Sequence, residues 1–228
     1  MHSSTSCWNG LPESMDQPDV PEKHRNKIAS IIERHSMANK FGMHLVHRHD
    51  AVQNGEVMVK TKLKTIEGSW SQATNVMQLK LPNTRGCIFK VNSNGDLEPY
   101  KFSEGSPADI LDSDSAFLSE ICAYLRDNQL NNLLGLKVIE TTDNWVDFDL
   151  GHNGTVTLKQ DQAKHGNLFK LTGFVYSKGE DGVRQLKGNN THTETTTPGK
   201  HKVFIDSKLK DEASLIEALL ELGIISNQ

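Results

Sequence analysis

Four Asn-Gly or Asp-Gly dipeptides, Asn54-Gly55, Asn94-Gly95, Asn153-Gly154 and Asp181-Gly182, fall between runs of apolar and β-branched residues. Tight hairpin turns need backbone angles that glycine and asparagine adopt at little cost, so this punctuation divides the chain into short antiparallel strands. The first pair is expected at 43–49 against 56–64, and the second at 87–91 against 97–102, with Pro99 marking an edge or a bulge. Runs at 134–140, 144–150, 154–159, 168–176 and 183–186 read as a meander, and 201–205 as a last strand.

Helical periodicity occupies the remainder. Pro21 fits a first helical position, and His24, Ile28, Ile31, Ile32 and His35 form one stripe that Gly42 ends. His24 and His35 lie about 16 Å apart along that helix, too far to share one ion. A second helix is capped by Ser113 and carries Phe117, Leu118, Ile121, Cys122 and Leu125. A third starts at Asp211, buries Leu215, Ile216, Leu219, Leu220 and Leu222, and stops at Gly223. The order predicts the α+β class as a single domain over 20–228. Its curved, largely antiparallel sheet, open or barrel-like, would have about three helices packed to one side. Residues 1–19, rich in Ser, Pro, Asn and Asp, read as a disordered N-terminal tail.

A net charge of −4 argues against a nucleic-acid partner. No run approaches the roughly 18 apolar residues of a membrane helix. The N-terminus lacks the basic and apolar regions of a secretory signal. Three widely spaced cysteines, Cys7, Cys87 and Cys122, form no disulfide framework. These features predict a cytoplasmic protein without membrane or nucleic-acid partners.

The chemically pointed stretch is Met43 to Asp50, which holds His44, His47 and His49 among ten histidines in all. Residues two apart on a strand share a face about 6.5 to 7 Å apart, so His47 and His49 could converge on one ion. His44 would point away. A third ligand is expected from His201 or His192, with Glu56, Glu194, His152 and His165 behind them. Neutral imidazoles suit zinc, copper, nickel or ferrous iron. Two other readings stay open: a metal-free binding or acid-base site, and histidines that only satisfy hydrogen bonds. The polar segment 187–200 is a lid over such a site or slack chain. On 56–64, Met58, Lys60, Lys62 and Lys64 share a face that is either solvated or an anion-binding stripe. No GxGxxG, GxxxxGK[ST], GxSxG or HExxH motif is present.

The stretch Phe41 to Val59 resembles a group of small, largely uncharacterised proteins of filamentous fungi that share a Leu-Val/Leu-His-Arg/Lys-His strand motif followed by a Gly-Glu strand. The matching positions are Leu45, Val46, His47, Arg48, His49, Gly55 and Glu56, and more loosely His192 and His201. The resemblance implies a fungal cytosolic accessory to small-molecule biosynthesis and carries over no reaction. Asp50 departs from the aromatic residue expected there.

The sequence thus supports two functional expectations. One is an enzyme or accessory enzyme for a small organic molecule, with His47, His49 and His201 as catalytic groups and His47, His49, His192 and His201 as metal ligands. The other is a non-catalytic binding or interaction protein with structural histidines.

Overall fold

The computed structural model describes residues 2–80, 82–105, 110–164, 168–193, 205 and 207–226. In chain order these form α1 (His2–Asn9), α2 (Glu22–Arg34), β1 (Phe41–Leu45), β2 (Glu56–Lys62), β3 (Gly68–Asn75), β4 (Thr84–Val91) and β5 (Leu97–Glu104). There follow α3 (Ser115–Asp127), β6 (Leu134–Val138), β7 (Trp145–Asp149), β8 (Thr155–Lys159), β9 (Leu168–Lys178), β10 (Arg184–Thr193) and α4 (Glu212–Glu221). The strands close into a barrel in the order β1-β6-β4-β5-β2-β3-β8-β7-β10-β9. Closure leaves no sheet edge to guard, which an open sheet would expose.

Three of the four turn dipeptides do what their chemistry predicts. Gly95, Gly154 and Gly182 hold φ of +92°, +85° and +78°. They sit between β4 and β5, β7 and β8, and β9 and β10, each pair antiparallel. Glycine is doubly required at Gly154, where a Cβ would stand 1.9 Å from the Ser71 carbonyl oxygen. The fourth dipeptide corrects the expectation. Gly55 has φ of +80°, yet β1 does not pair with β2. Instead β1 pairs with β6 and β9, while β2 lies antiparallel to β3 and parallel to β5. The expected meander also breaks, since β7 runs parallel to β10 rather than beside β6.

Burial decides these pairings. Phe41, Met43 and Leu45 on β1 and Leu134, Leu136 and Val138 on β6 join Ile28, Ile31 and Ile32 of α2 and Phe117, Ile121 and Leu125 of α3 in one apolar cluster. On another flank, Trp70, Val146, Phe148, Val156 and Leu158 pack with Leu215 and Leu219 of α4. Each fully buried side chain of this size contributes roughly 1.5–3 kcal/mol. The described helices therefore number four and cover more than one side. The expected helix caps at the C-terminal end hold: Asp211 accepts from Ser214 N at 2.9 Å, and Gly223 stops the helix at φ +67°.

Because side chains alternate along a strand, the neighbours of these outward apolar residues face the barrel interior. His44, Gly135, Lys137, Asp147, Asp149, Thr155 and Thr157 occupy such positions. These two apolar clusters thus lie outside the barrel wall, and the inward positions beside them are mostly polar.

The first nineteen residues differ most from expectation. α1 and the turn after it pack on β2 and β5, in a third cluster where Cys7, Trp8 and Leu11 meet Val46, Val52, Met58, Ile88 and Tyr100. Trp8 is 2% exposed, and its ring centroid lies 6.2 Å from that of Tyr100. A single indole outweighs the polar residues around it, because one buried aromatic carries 150–250 Å² of contact, roughly. Among the described residues no helix is long and apolar enough to cross a membrane.

Candidate metal centre

β1 ends at Leu45, so His47 and His49 stand beyond the strand rather than on its pleat. Their convergence has a different cause from strand alternation. The N-terminal segment grips the chain that follows β1. Gln17 Nε2 donates to the Val46 carbonyl, the Pro12 carbonyl accepts from Arg48 N at 2.9 Å, and Arg48 Nε donates to the Leu11 carbonyl at 2.9 Å. Trp8 Nε1 donates to the Asp50 carbonyl at 2.8 Å, and the Asn9 amide bonds both the N–H and the carbonyl of Val52 at 2.9 Å. This bracing turns both imidazoles into the barrel, where each is buried.

The third imidazole is His192. It lies on β10, in register with Asp147 of β7 and Lys170 of β9. The segment expected to be a polar loop is therefore a barrel strand up to Thr193. One ligand nitrogen from each of His47, His49 and His192 lies within 4.8 Å of the other two. His201 and His165 fall outside the described residues, as does Glu194. Glu56 is not part of the cluster, its Oε2 accepting from Gln53 N at 2.9 Å. His152 likewise stands apart, next to Asn153.

Hydrogen bonds fix which nitrogens face the centre. His47 Nδ1 lies 2.7 Å from the Leu45 carbonyl, which only accepts, so that nitrogen carries the proton and Nε2 keeps its lone pair. His49 Nδ1 is 3.1 Å from Asp149 Oδ2, a carboxylate fully shielded from solvent, which leaves Nε2 of His49 to face inward. His192 Nε2 stands 3.1 Å from His47 Nε2 and 3.4 Å from Asp147 Oδ2. Donor atoms around a tetrahedral zinc ion are about 3.3 Å apart, from a metal–nitrogen distance of roughly 2.0–2.1 Å. Both distances from His192 Nε2 are of that size.

Asp147 is held at both oxygens. Thr157 Oγ1 donates to Oδ1 at 2.6 Å and Asn190 Nδ2 to Oδ2 at 2.7 Å. Such outer partners orient a ligand and raise its basicity. The Asn190 Oδ1 is buried without a hydrogen-bond partner.

Electrostatics favours the neutral imidazole, the form that binds metal. Burial, then the charges of His192 and His49, holds His47 well below its usual range. Burial and then His47 do the same for His44. Against expectation His44 does not point away. It faces the interior from β1, stacks on His47 with centroids 5.0 Å apart and an interplanar angle of 15°, and shares a 3.0 Å hydrogen bond with the Tyr100 hydroxyl. Burial, with Cys87 and Cys7 nearby, raises the Tyr100 phenol well above its ordinary value, so it stays protonated.

His47, His49 and His192 are thus brought together, with Asp147, Asp149, His44 and Tyr100 beside them. The two aspartates had a readable signal: Trp145-Val146-Asp147-Phe148-Asp149 alternates apolar residues with carboxylates that strands otherwise disfavour. A scan against protein-family models, a search of curated proteins and a search of solved structures each returned no match to this chain.

Proposed function

We propose that the protein is an enzyme or accessory enzyme for a small organic molecule, with His47, His49 and His192 holding a divalent transition ion and Asp147 placed to complete its coordination. One observation carries the reading: three buried imidazole donors face one point, and two of them have their far nitrogens tied to acceptors. A structural cluster has no need to aim lone pairs at one another. An ion there would act as a Lewis acid toward an oxygen of the substrate. Around it the chain's own residues position Asp147 through Thr157 and Asn190, exclude bulk water, and keep Tyr100 protonated as a donor. Zinc, copper and ferrous iron all accept this donor set.

A metal-free reading rests on the 3.1 Å contact between His47 and His192. One N–H···N hydrogen bond there closes the cluster without an ion, as expected of a binding protein with structural histidines. A cytoplasmic setting belongs to the same proposal and is supported by the free thiols Cys7, Cys87 and Cys122. The resemblance to the fungal group supports an accessory role in small-molecule biosynthesis.

The test is metal analysis of protein purified without a histidine tag and supplied in turn with zinc, copper and ferrous iron. The His192→Ala variant and the His47→Ala/His49→Ala double variant serve as comparisons. A stoichiometric ion in the parent and almost none in either variant is the expected result. Parent protein that stays empty with every metal would leave the metal-free reading standing.

A further inference from the structure

The register places a second set of charges in the barrel interior. Lys137 alternates with Leu136 and Val138, which face the outer cluster, and pairs with Gly42 between Phe41 and Met43 of that same cluster. Ser103 of β5 pairs with Lys60 of β2, Lys60 with Ser71 of β3, Ser71 with Thr155 of β8, and Thr155 with Asp149 of β7. This row runs around the inner wall to the carboxylate that holds His49. Lys101, two residues before Ser103, shares its face and is in register with Met58. Lys60, Lys101 and Lys137 therefore line the interior that holds the imidazoles.

Their partners are unequal. Lys60 Nζ forms an ion pair with Glu140 at 2.8 Å. Among the described residues neither Lys101 nor Lys137 has a carboxylate within ion-pair distance, although both are partly buried. Burial, followed by the charge of Lys60, brings the Lys137 amine down to about 8. Burial also lowers Lys101, against the opposing field of Asp147. A partly buried ammonium with no carboxylate at ion-pair distance gains from an anionic partner, beyond the field that Asp147 adds at both lysines. At the other side of the interior a divalent ion would balance Asp147 and Asp149. The two lysines are what remains unmatched.

We propose that Lys101 and Lys137 form an oxyanion subsite that receives a carboxylate or phosphate group of the small molecule whose other end meets the histidine centre. The substrate assignment rests on the metal reading above; the anion site itself does not. A metal that orients one end of a molecule and paired ammoniums that hold the other would together fix a single orientation for it.

The experiment titrates inorganic phosphate and, separately, acetate into the protein by calorimetry, once after chelation and once loaded with zinc. The parent is compared with the Lys101→Met/Lys137→Met double variant and with a surface control, Lys23→Gln on α2. The expected result is anion binding in both metal states, weakened about tenfold or more in the double variant and unaltered in the control. Tighter binding of phosphate assigns the subsite to phosphate esters, and tighter binding of acetate assigns it to carboxylates. The double variant is expected to melt no lower than the parent, because it removes two partly buried charges that lack an ion-pair partner, so its loss of binding is separable from misfolding. In a second measurement, phosphate or acetate should slow acetylation of Lys101 and Lys137 in the parent protein, read by peptide mass spectrometry. Absent anion binding in the parent, or binding and protection that ignore the double substitution, overturns the subsite. Binding that requires zinc and survives the substitution locates the anion on the metal, which refutes the lysine subsite and leaves the metal reading intact.

Discussion

Acidification should destabilise the metal-free protein through two histidines, from just above their ordinary pKa downward. His44 and His47 are both enclosed, and both are held neutral well below their usual range, first by burial and then by His47 for His44 and by His192 and His49 for His47. In the unfolded chain each would titrate near its ordinary value of about 6.5. The folded form thus declines a proton that the unfolded form accepts. Stability conferred by the neutral state is complete above pH 6.5 and is lost as the pH falls through that value. Between pH 7.5 and 5.5 the unfolded chain gains about 1.4 kcal/mol per such histidine while the folded imidazole stays neutral, or about 2.7 kcal/mol for the pair. Depressed carboxylates such as Asp114, whose stabilisation by Lys40 persists until the pH approaches the acid range, do not interfere. His24 adds a smaller change in the same direction. Urea unfolding of chelated protein at pH 7.5, 6.5 and 5.5 measures the loss, and the His44→Gln variant should show about half of it. A stability that is flat across this interval, or a loss untouched by His44→Gln, would refute the argument that these imidazoles are buried neutral.

Two further outcomes follow from the bracing of the site. Trp8→Ala empties a nearly solvent-free position and leaves the Asp50 carbonyl without its donor, so chemical denaturation should show a loss of about 3–5 kcal/mol, with weakened metal uptake in the fraction that remains folded. Asp149→Asn keeps the shape but weakens the orientation and basicity of His49, and competition with a chromogenic chelator should report metal affinity lower by about 10–100-fold.

How much of this was legible in the sequence depends on how local the determining physics is. The turns at Gly95, Gly154 and Gly182 and the helices α2, α3 and α4 were readable, because backbone preference and apolar periodicity act over a few residues. The choice between an open and a closed sheet is not, because closure needs the parallel pairs β2 with β5 and β7 with β10, whose members no turn connects. The strand β10 reads as a polar loop beyond Leu186 because its inward residues, Asn190 and His192, face a polar interior. The usual alternation of apolar with polar residues is therefore missing. His47 and His49 are legible as an imidazole pair that could converge, but not in their geometry, since the segment that redirects them, residues 8–17, reads as too polar to fold. Lys101 and Lys137 carried no local signal at all, as a lysine in a strand ordinarily reads as solvated.

The strand that delivers His192 is also the one that bridges β7 and β9, and the contact of β9 with β1 completes the circle. During synthesis, some 145 residues separate the first imidazoles from the last. A nascent chain that has not yet produced β10 presents β7 with an unpaired flank and has only two of its three imidazole donors. On the proposed metal reading, capture of an ion would report that the circle has closed, and an ion available to the newborn chain would act as a late latch on folding rather than as a seed for it.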